Sequence, residues 1–314
     1  MTENSHPERL PSLPLVRGHV ARQFGRRGDL EAAQFLYGEV GSRMAERLGY
    51  IRLAPGAMLD AGCGAGAALP LLQARYPAAS YTGLDLSAGV LEHARRRHLP
   101  SMGGRLRHSA LKLAGRSPAA LPAFVEADMA RTGLAPESQD LVWSNMALHW
   151  HPEPHAVLAE WRRITRVGGL VMFSCLGPGT FRQLRDAVAR AGLETATPPF
   201  VDMHDFGDLL VENGFADPVM DQEVLTFTYE NPLRLLRDVR DLGGNPAVGR
   251  RRGLATPAWR RRLAEALDAG RDDDGLLRLS VEVAYGHAWR AGSFQAAPGE
   301  TRVAVAAIGR KRSR

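Results

Sequence analysis

The chain has 314 residues, of which 45% are hydrophobic and 24% charged, with 33 Gly and 20 Pro. That balance excludes a disordered or collagen-like protein and leaves room for a substantial core. The formal charge of +6 is carried almost wholly by arginine, since Lys112 and Lys311 are the only lysines, and it points toward an acidic partner: nucleic acid, an anionic surface or an acidic protein.

Along the chain, Phe35, Leu36, Val40, Met44 and Leu48 recur at helical spacing before a Gly/Pro break at Gly49–Gly56, which predicts an N-terminal helix or helix pair. Short apolar runs then alternate with amphipathic stretches, the pattern of a parallel sheet with helices on both faces. Expected strands are Met58–Ala61, Ser80–Leu84, Phe124–Glu126, Leu141–Ser144 and Leu170–Ser174. Expected helices are Leu69–Tyr76, Ser87–His98, Pro154–Val167, Phe181–Ala191 and Asp205–Asn213. Past Gly214, Val219–Tyr229 and Arg278–Trp289 read as long antiparallel strands, and Thr301–Ile308 as a further strand. Between the long strands lies Asn231–Gly275, an arginine-rich helical insertion large enough to cover a pocket, while Met102–Leu121 reads as a basic surface loop.

The strongest local signal is Met58-Leu-Asp-Ala-Gly-Cys-Gly-Ala-Gly66, an apolar strand entering a glycine loop ahead of a helix. Such a loop brings backbone close to a ligand. A second strand ends at Asp85-Leu86-Ser87, where a carboxylate can accept both hydroxyls of a ribose. A third ends at Asp128-Met129 and a fourth at Ser144-Asn145, so four strand ends present polar groups at one edge of the sheet. The loop reads GxGxG after an acid rather than GxGxxG, and Asp60 disfavours a phosphate while attracting an ammonium or sulfonium. That chemistry points to S-adenosylmethionine.

From Ala57 to about Val224 the sequence resembles the class I S-adenosylmethionine-dependent methyltransferases. The resemblance implies an α/β, Rossmann-like fold whose seven-stranded, mostly parallel sheet carries one antiparallel strand near its C-terminal end. It implies that Asp60, Gly62, Gly64 and Gly66 line the methionine end of the cofactor, that Asp85 holds the ribose with Leu86 also in the cofactor site, that Asp128 and Met129 meet the adenine, and that Ser144 and Asn145 lie beside the transferable methyl. Further blocks narrow the resemblance: Ser144-Asn-Met-Ala-Leu-His-Trp150, Gly177-Pro-Gly-Thr-Phe-Arg-Gln-Leu-Arg185, Leu242-Gly-Gly-Asn245 and Tyr285-Gly-His-Ala-Trp289. These resemble the malonyl-acyl-carrier-protein O-methyltransferases of biotin synthesis, which implies malonyl-loaded acyl carrier protein or malonyl-CoA as the substrate. The same blocks resemble a related mitochondrial complex I assembly factor, an arginine hydroxylase, so a non-methylating reading stays open. Leu30 stands where a tyrosine near the cofactor is usual in the family.

A malonyl thioester brings a carboxylate already ionised at pH 7, so no acid–base side chain is expected to act. Proximity and exclusion of water suffice, with an arginine holding the carboxylate. Arg182 and Arg185, after the fifth strand, are the expected clamp, and His149 and Trp150 the expected wall for the acyl chain. A solvated helix face for the arginines and plain core packing for Trp150 are the alternatives. His149, His151 and His155 straddle a proline-bearing loop without a cysteine partner, so no metal site is expected. Cys175 lacks a partner base. The place after the fourth strand where base-methylating enzymes carry a Pro-Pro-aromatic turn reads Ser-Asn-Met-Ala, which lowers the nucleic-acid reading.

Two cysteines are too few for a disulfide framework, no secretory signal is legible in Met1–Pro14, and the longest apolar run, Gly168–Gly177, falls far short of the ~20 residues that span a bilayer. A soluble cytoplasmic protein is therefore expected. The expected organisation is a helical lid over 1–56 and a methyltransferase domain over 57–314, with 231–277 as its basic insertion. Between Arg234 and Arg262 nine arginines face only Asp238 and Asp241, a block suited to an acidic carrier protein.

Overall fold

The computed structural model describes residues 12–104, 113, 120–251, 253 and 255–292. Thr301–Ile308 and most of Met102–Leu121 lie outside them. Helices α1 (Arg17–Gly25) and α2 (Gln34–Gly49) precede strand β1 (Ala57–Ala61). Then α3 (Leu69–Arg75), β2 (Ser80–Asp85), α4 (Ala88–His98), β3 (Ala123–Glu126), β4 (Gln139–Ser144), α5 (Pro154–Ile164) and β5 (Thr165–Leu176) alternate as the apolar pattern requires. After α6 (Arg182–Arg190) and α7 (Met203–Glu212), β6 (Phe215–Tyr229) and β7 (Leu277–Arg290) flank α8 (Pro232–Asp241) and α9 (Pro257–Asp268).

The sheet has seven strands in the order β3-β2-β1-β4-β5-β7-β6. Strands β1 to β5 pair in parallel, and β7 runs antiparallel to both β5 and β6. The order reverses between β1 and β4, and their C-terminal ends form the crevice where open α/β sheets bind ligands. Strand β5 starts earlier than its apolar run, at Thr165. Helix α5 correspondingly stops at Ile164 rather than Val167, because Thr165 turns its hydroxyl back onto the Trp161 carbonyl (2.6 Å) while its own backbone enters the ladder opposite Gln139.

Strand alternation separates two cores. Leu141 and Trp143 of β4 join Leu36, Val40, Met44 and Leu48 of α2 on one face. Val142 joins Trp161 of α5 and Phe206 of α7 on the other. Trp161 is fully buried, and truncating such a side chain to alanine costs roughly 3–5 kcal/mol. A third cluster gathers Ala187, Leu235, Leu263, Leu267 and Leu279, so α6, α8 and α9 pack together against the outer ends of β6 and β7. The N-terminal segment is tied to the insertion. Leu15 bridges Ala247, the Val16 N–H donates to the Pro246 carbonyl (3.1 Å), and the Tyr37 hydroxyl donates to the Leu242 carbonyl (2.5 Å). No helix among the described residues is long and apolar enough to cross a membrane.

Candidate active site

A cavity of about 110 Å³ opens at the crevice, lined by the glycine loop, Asp85, Leu86, Asp128, Met129 and Asn145. Its floor depends on Gly62. That residue sits at φ +79°, and a Cβ there would lie 2.3 Å from Ala147 Cβ on the loop after β4. Only glycine lets the two loops close on one another. The loop is pinned by hydrogen bonds from the Gly62 and Cys63 N–H groups to the Leu84 carbonyl (2.7 and 2.9 Å).

Asp85 completes the loop. Its Oδ2 accepts from the Gly64 N–H (3.0 Å) and its Oδ1 from the Ser87 N–H (2.8 Å), and each oxygen keeps a second lone pair for a ligand. Burial pushes its carboxyl up to about 6, with the backbone donors pulling the other way. Asp60 is 2% exposed and accepts from the Tyr81 hydroxyl (2.7 Å). Burial lifts it further, up to about 7, so near neutrality this carboxyl is poised between its two forms and a nearby cation favours the ionised one.

At the other end of the cavity, His151 Nδ1 accepts from the Glu153 N–H (3.0 Å), which leaves Nε2 as the donor to Asp128 Oδ1 (3.0 Å). That bond, ahead of the others, holds the Asp128 carboxyl down to about 2. Arg17 of α1 pairs with the second oxygen of Asp128, so the N-terminal helix reaches across to β3.

The loop after β4 is held by a small polar cluster. Asn145 donates to the Tyr37 carbonyl (2.8 Å) and accepts from the Ser174 hydroxyl (2.9 Å), while the Met146 N–H donates to Ser174 Oγ (3.0 Å). Met146 stands at φ +54°, a left-handed conformation that non-glycine residues adopt at a cost and that concentrates at functional loops.

Several expected site residues lie elsewhere. Ser144 is fully buried, and its hydroxyl donates to the Ala61 carbonyl (2.8 Å), joining β1 to β4 beneath the cavity instead of lining it. Gly66 lies by the His98 ring and does not line the cavity. His149, expected in the acyl wall, is 2% exposed. It accepts from the Leu176 N–H (3.2 Å), packs on Trp150 and Phe200, and is driven down to about 3 by burial, so it is a neutral core residue. Cys175 is likewise buried, and burial raises its thiol.

Trp150 is buried yet borders open space. Its ring lines the first cavity and also a second one of about 630 Å³, bounded by α6, α8, α9 and the segment around Phe200. The Leu242-Gly-Gly-Asn245 block explains itself here. Gly243 adopts φ +136°, and a Cβ would lie 2.3 Å from the Trp150 ring, so the insertion returns directly against the tryptophan. Apolar side chains from Phe181, Leu184, Phe200, Leu236 and Leu263 share the second cavity with Arg27, Arg185, Arg237, Arg240 and Arg260.

Neither expected clamp is free to act. Arg182 is exposed on α6 and lines neither cavity. Arg185 lines the second cavity, but its guanidinium donates to the Thr180 and Pro178 carbonyls. Sequence reasoning missed Phe24 and Tyr37, which line the first cavity, and Arg17 and Arg27. The one trace of Tyr37 is that it stands a single step off the buried stripe of α2. Leu30 also faces the first cavity, in left-handed backbone (φ 60°), with its side chain over Gly64.

The fold and this crevice are those of a methyltransferase. The family described as "Methyltransferase domain" matches residues 59–173, and the YcgJ protein of Bacillus subtilis superposes with a TM-score of 0.54 at 12% identity, covering 82% of this chain and all of that one. Among curated proteins, the chain is 47% identical to the malonyl-[acyl-carrier protein] O-methyltransferase of Laribacter hongkongensis over 83% of this chain and 84% of that one. It is 39% identical to the enzyme of that name from a Methylovorus species, over 87% and 89%. The chain belongs to the malonyl-[acyl-carrier protein] O-methyltransferase family.

Proposed function

We propose that this protein methylates the free carboxyl of malonyl-[acyl carrier protein] with S-adenosylmethionine, a step of biotin synthesis in the cytoplasm. One observation carries the reading. A crevice lined by a carboxylate with free lone pairs and by a buried acid shares the Trp150 ring with an arginine-bearing chamber bounded by the insertion.

The residues fit the cofactor. Asp85 retains lone pairs for two ribose hydroxyls, Asp60 suits the ammonium and sulfonium end, and Leu86, Asp128 and Met129 line the same cavity, with Asp128 and Met129 left to meet the adenine. When bound, the cofactor supplies an electrophilic methyl on a positively charged sulfur. The chain's part is to hold the substrate carboxylate in line and to keep water out, an effect of proximity that reaches roughly 7–11 kcal/mol in favourable cases. No residue has to move a proton.

In this reading residues 1–56 act as a lid and 57–314 as the catalytic domain, with 231–277 forming the cap of the chamber. The larger cavity takes the thioester arm, and the arginines at its exposed edge take the arm's phosphate and the acidic carrier. Malonyl-CoA would enter by the same route, with only the edge contacts changed.

Methyl transfer from labelled S-adenosylmethionine to malonyl carrier protein tests the reading directly. Labelled, base-labile ester on the carrier is expected, together with rescue of a biotin auxotroph lacking its own methyltransferase. A folded protein that binds cofactor but does neither would sink it.

The acids also predict a pH dependence. In the free protein burial pushes the Asp60 carboxyl up to about 7 and that of Asp85 up to about 6. A bound cation favours the ionised form of Asp60 and hydrogen bonds from the ribose hydroxyls favour that of Asp85, so binding below these values must release protons. Cofactor Kd, measured by calorimetry, is expected to rise as pH falls through 7, toward tenfold per unit for one proton. Asp60→Asn should flatten the upper part of that rise. A wild-type Kd that is constant from pH 8 to pH 5.5 would contradict the assignment of both acids.

A further inference from the structure

We propose that Arg27 binds the free carboxylate of the thioester substrate, on the wall of the larger cavity beside the Trp150 ring that both cavities share. The inference rests on the malonyl-thioester reading above. Arg27 follows α1 on the wall of the larger cavity, in company with Trp150, whose ring lines both cavities. Phe24, one turn earlier, and Tyr37, which interacts electrostatically with Arg27, line the smaller one. A carboxylate held by Arg27 therefore lies next to side chains that line the first cavity.

The guanidinium is built to accept it. Its Nε and Nη2 donate to the Arg240 carbonyl (3.0 and 2.6 Å) near the C-terminal end of α8, which fixes the plane of the group. Nη1 is buried and has no hydrogen-bond partner among the described residues. Among the described residues no carboxylate forms an ion pair with Arg27. Asp241 and the phenol of Tyr37 act on it only through space, and Arg240 opposes its charge. A charged donor buried without a partner is costly, and a ligand carboxylate would relieve that cost.

The other cations of the chamber are differently placed. Arg185 is spent on two carbonyls. Arg237, Arg240 and Arg260 are exposed, so they meet water and salt. Such positions suit a phosphate at the mouth, whereas a nucleophilic carboxylate must lie in a dry site.

The arrangement accounts for selectivity and release together. One carboxylate oxygen forms a bond to the methyl carbon as the carbon–sulfur bond breaks and its electron pair returns to sulfur. No proton moves, and one negative and one positive charge disappear. The ester is neutral and loses its ionic bond to Arg27, so product leaves while unreacted acid is retained. Acyl thioesters without a terminal carboxylate gain nothing from this group and are passed over.

The full-length protein with Arg27→Met and Arg27→Lys provides the test. Calorimetry in the presence of S-adenosylhomocysteine would compare malonyl-pantetheine with its methyl ester and with acetyl-pantetheine. The wild type is expected to prefer the acid about 100-fold, the worth of a strong charge-assisted pair. Arg27→Met should lose that preference, raise KM for the malonyl thioester by a similar factor and leave cofactor Kd unchanged, while Arg27→Lys keeps part of the preference. A merely structural role, through the contact with Arg240, would weaken acid and ester alike. Undiminished preference for the acid in Arg27→Met, with melting behaviour and cofactor binding intact, overturns the assignment. Because the preference is read without turnover, the two claims separate. A wild type that prefers the acid but methylates no malonyl thioester retains Arg27 as the clamp and rejects the methyl-transfer reading.

Discussion

Asp85→Ala is expected to abolish cofactor binding at any practical concentration. Two ribose hydroxyls would lose an ionised acceptor, at about 1.5–3 kcal/mol for each hydrogen bond to a charged group, which together is roughly a hundredfold to ten-thousandfold in Kd. The loss does not end there. Asp85 also accepts from the Gly64 and Ser87 N–H groups, so alanine leaves two donors of the glycine loop and the following helix start without partners. Asp85→Asn separates the two effects: it keeps one carbonyl oxygen and most of the shape but removes the charge, and an intermediate affinity is expected. Calorimetry with S-adenosylmethionine and S-adenosylhomocysteine, beside thermal melting of the free protein, is the measurement. Unchanged affinity in a folded Asp85→Ala protein would remove Asp85 from the ribose site.

What the sequence made legible follows the range of the interactions involved. The parallel strands and the acids at their ends are local events, an apolar run followed by a loop residue, so β1 to β5 and the placement of Asp60, Asp85 and Asp128 could be read along the chain. The cavity's other walls are assembled by contacts far apart in sequence. Tyr37 reaches Leu242, Leu15 pairs with Ala247, and Arg27 is fixed by the carbonyl of Arg240. Nothing in the spacing of Gln23–Glu31 announces that its second arginine will be half-buried beside Trp150.

The misplaced residues share a cause. Ser144, His149 and Arg182 each stand near the end of an element at the correct edge of the sheet, but proximity in sequence does not decide direction. Ser144 follows the strand's alternation inward to Ala61, His149 is turned into the core by the tight turn at Leu148–Trp150, and Arg182 starts its helix on the solvent side. Arg185 points toward the chamber and is then captured by the carbonyls of the loop before its own helix.

Reversing the charge of the arginine block, with Arg237 and Arg260 of the chamber wall and the neighbouring Arg251 all changed to glutamate, is expected to raise KM for malonyl carrier protein by about 10- to 100-fold, chiefly through slower association. The three are exposed and form no ion pair among the described residues, so the substitution adds negative potential without stranding a buried partner. They belong to a block in which nine arginines face two aspartates between positions 234 and 262. This net of +7 exceeds the charge of the whole chain, so the surface is a concentrated field and not a general basicity. Salt distinguishes docking from packing. At 0.15 M ionic strength exposed charges are screened over about 8 Å, so turnover of the carrier substrate by the wild type should fall steeply as salt rises, and the triple variant should lose most of that dependence. Malonyl-pantetheine, which has neither phosphate nor carrier, should be methylated by both proteins at similar rates. Equal KM for the carrier substrate in wild type and variant, at low salt and with the fold intact, would show that the arginine block is a solvated helix face and that the carrier docks elsewhere.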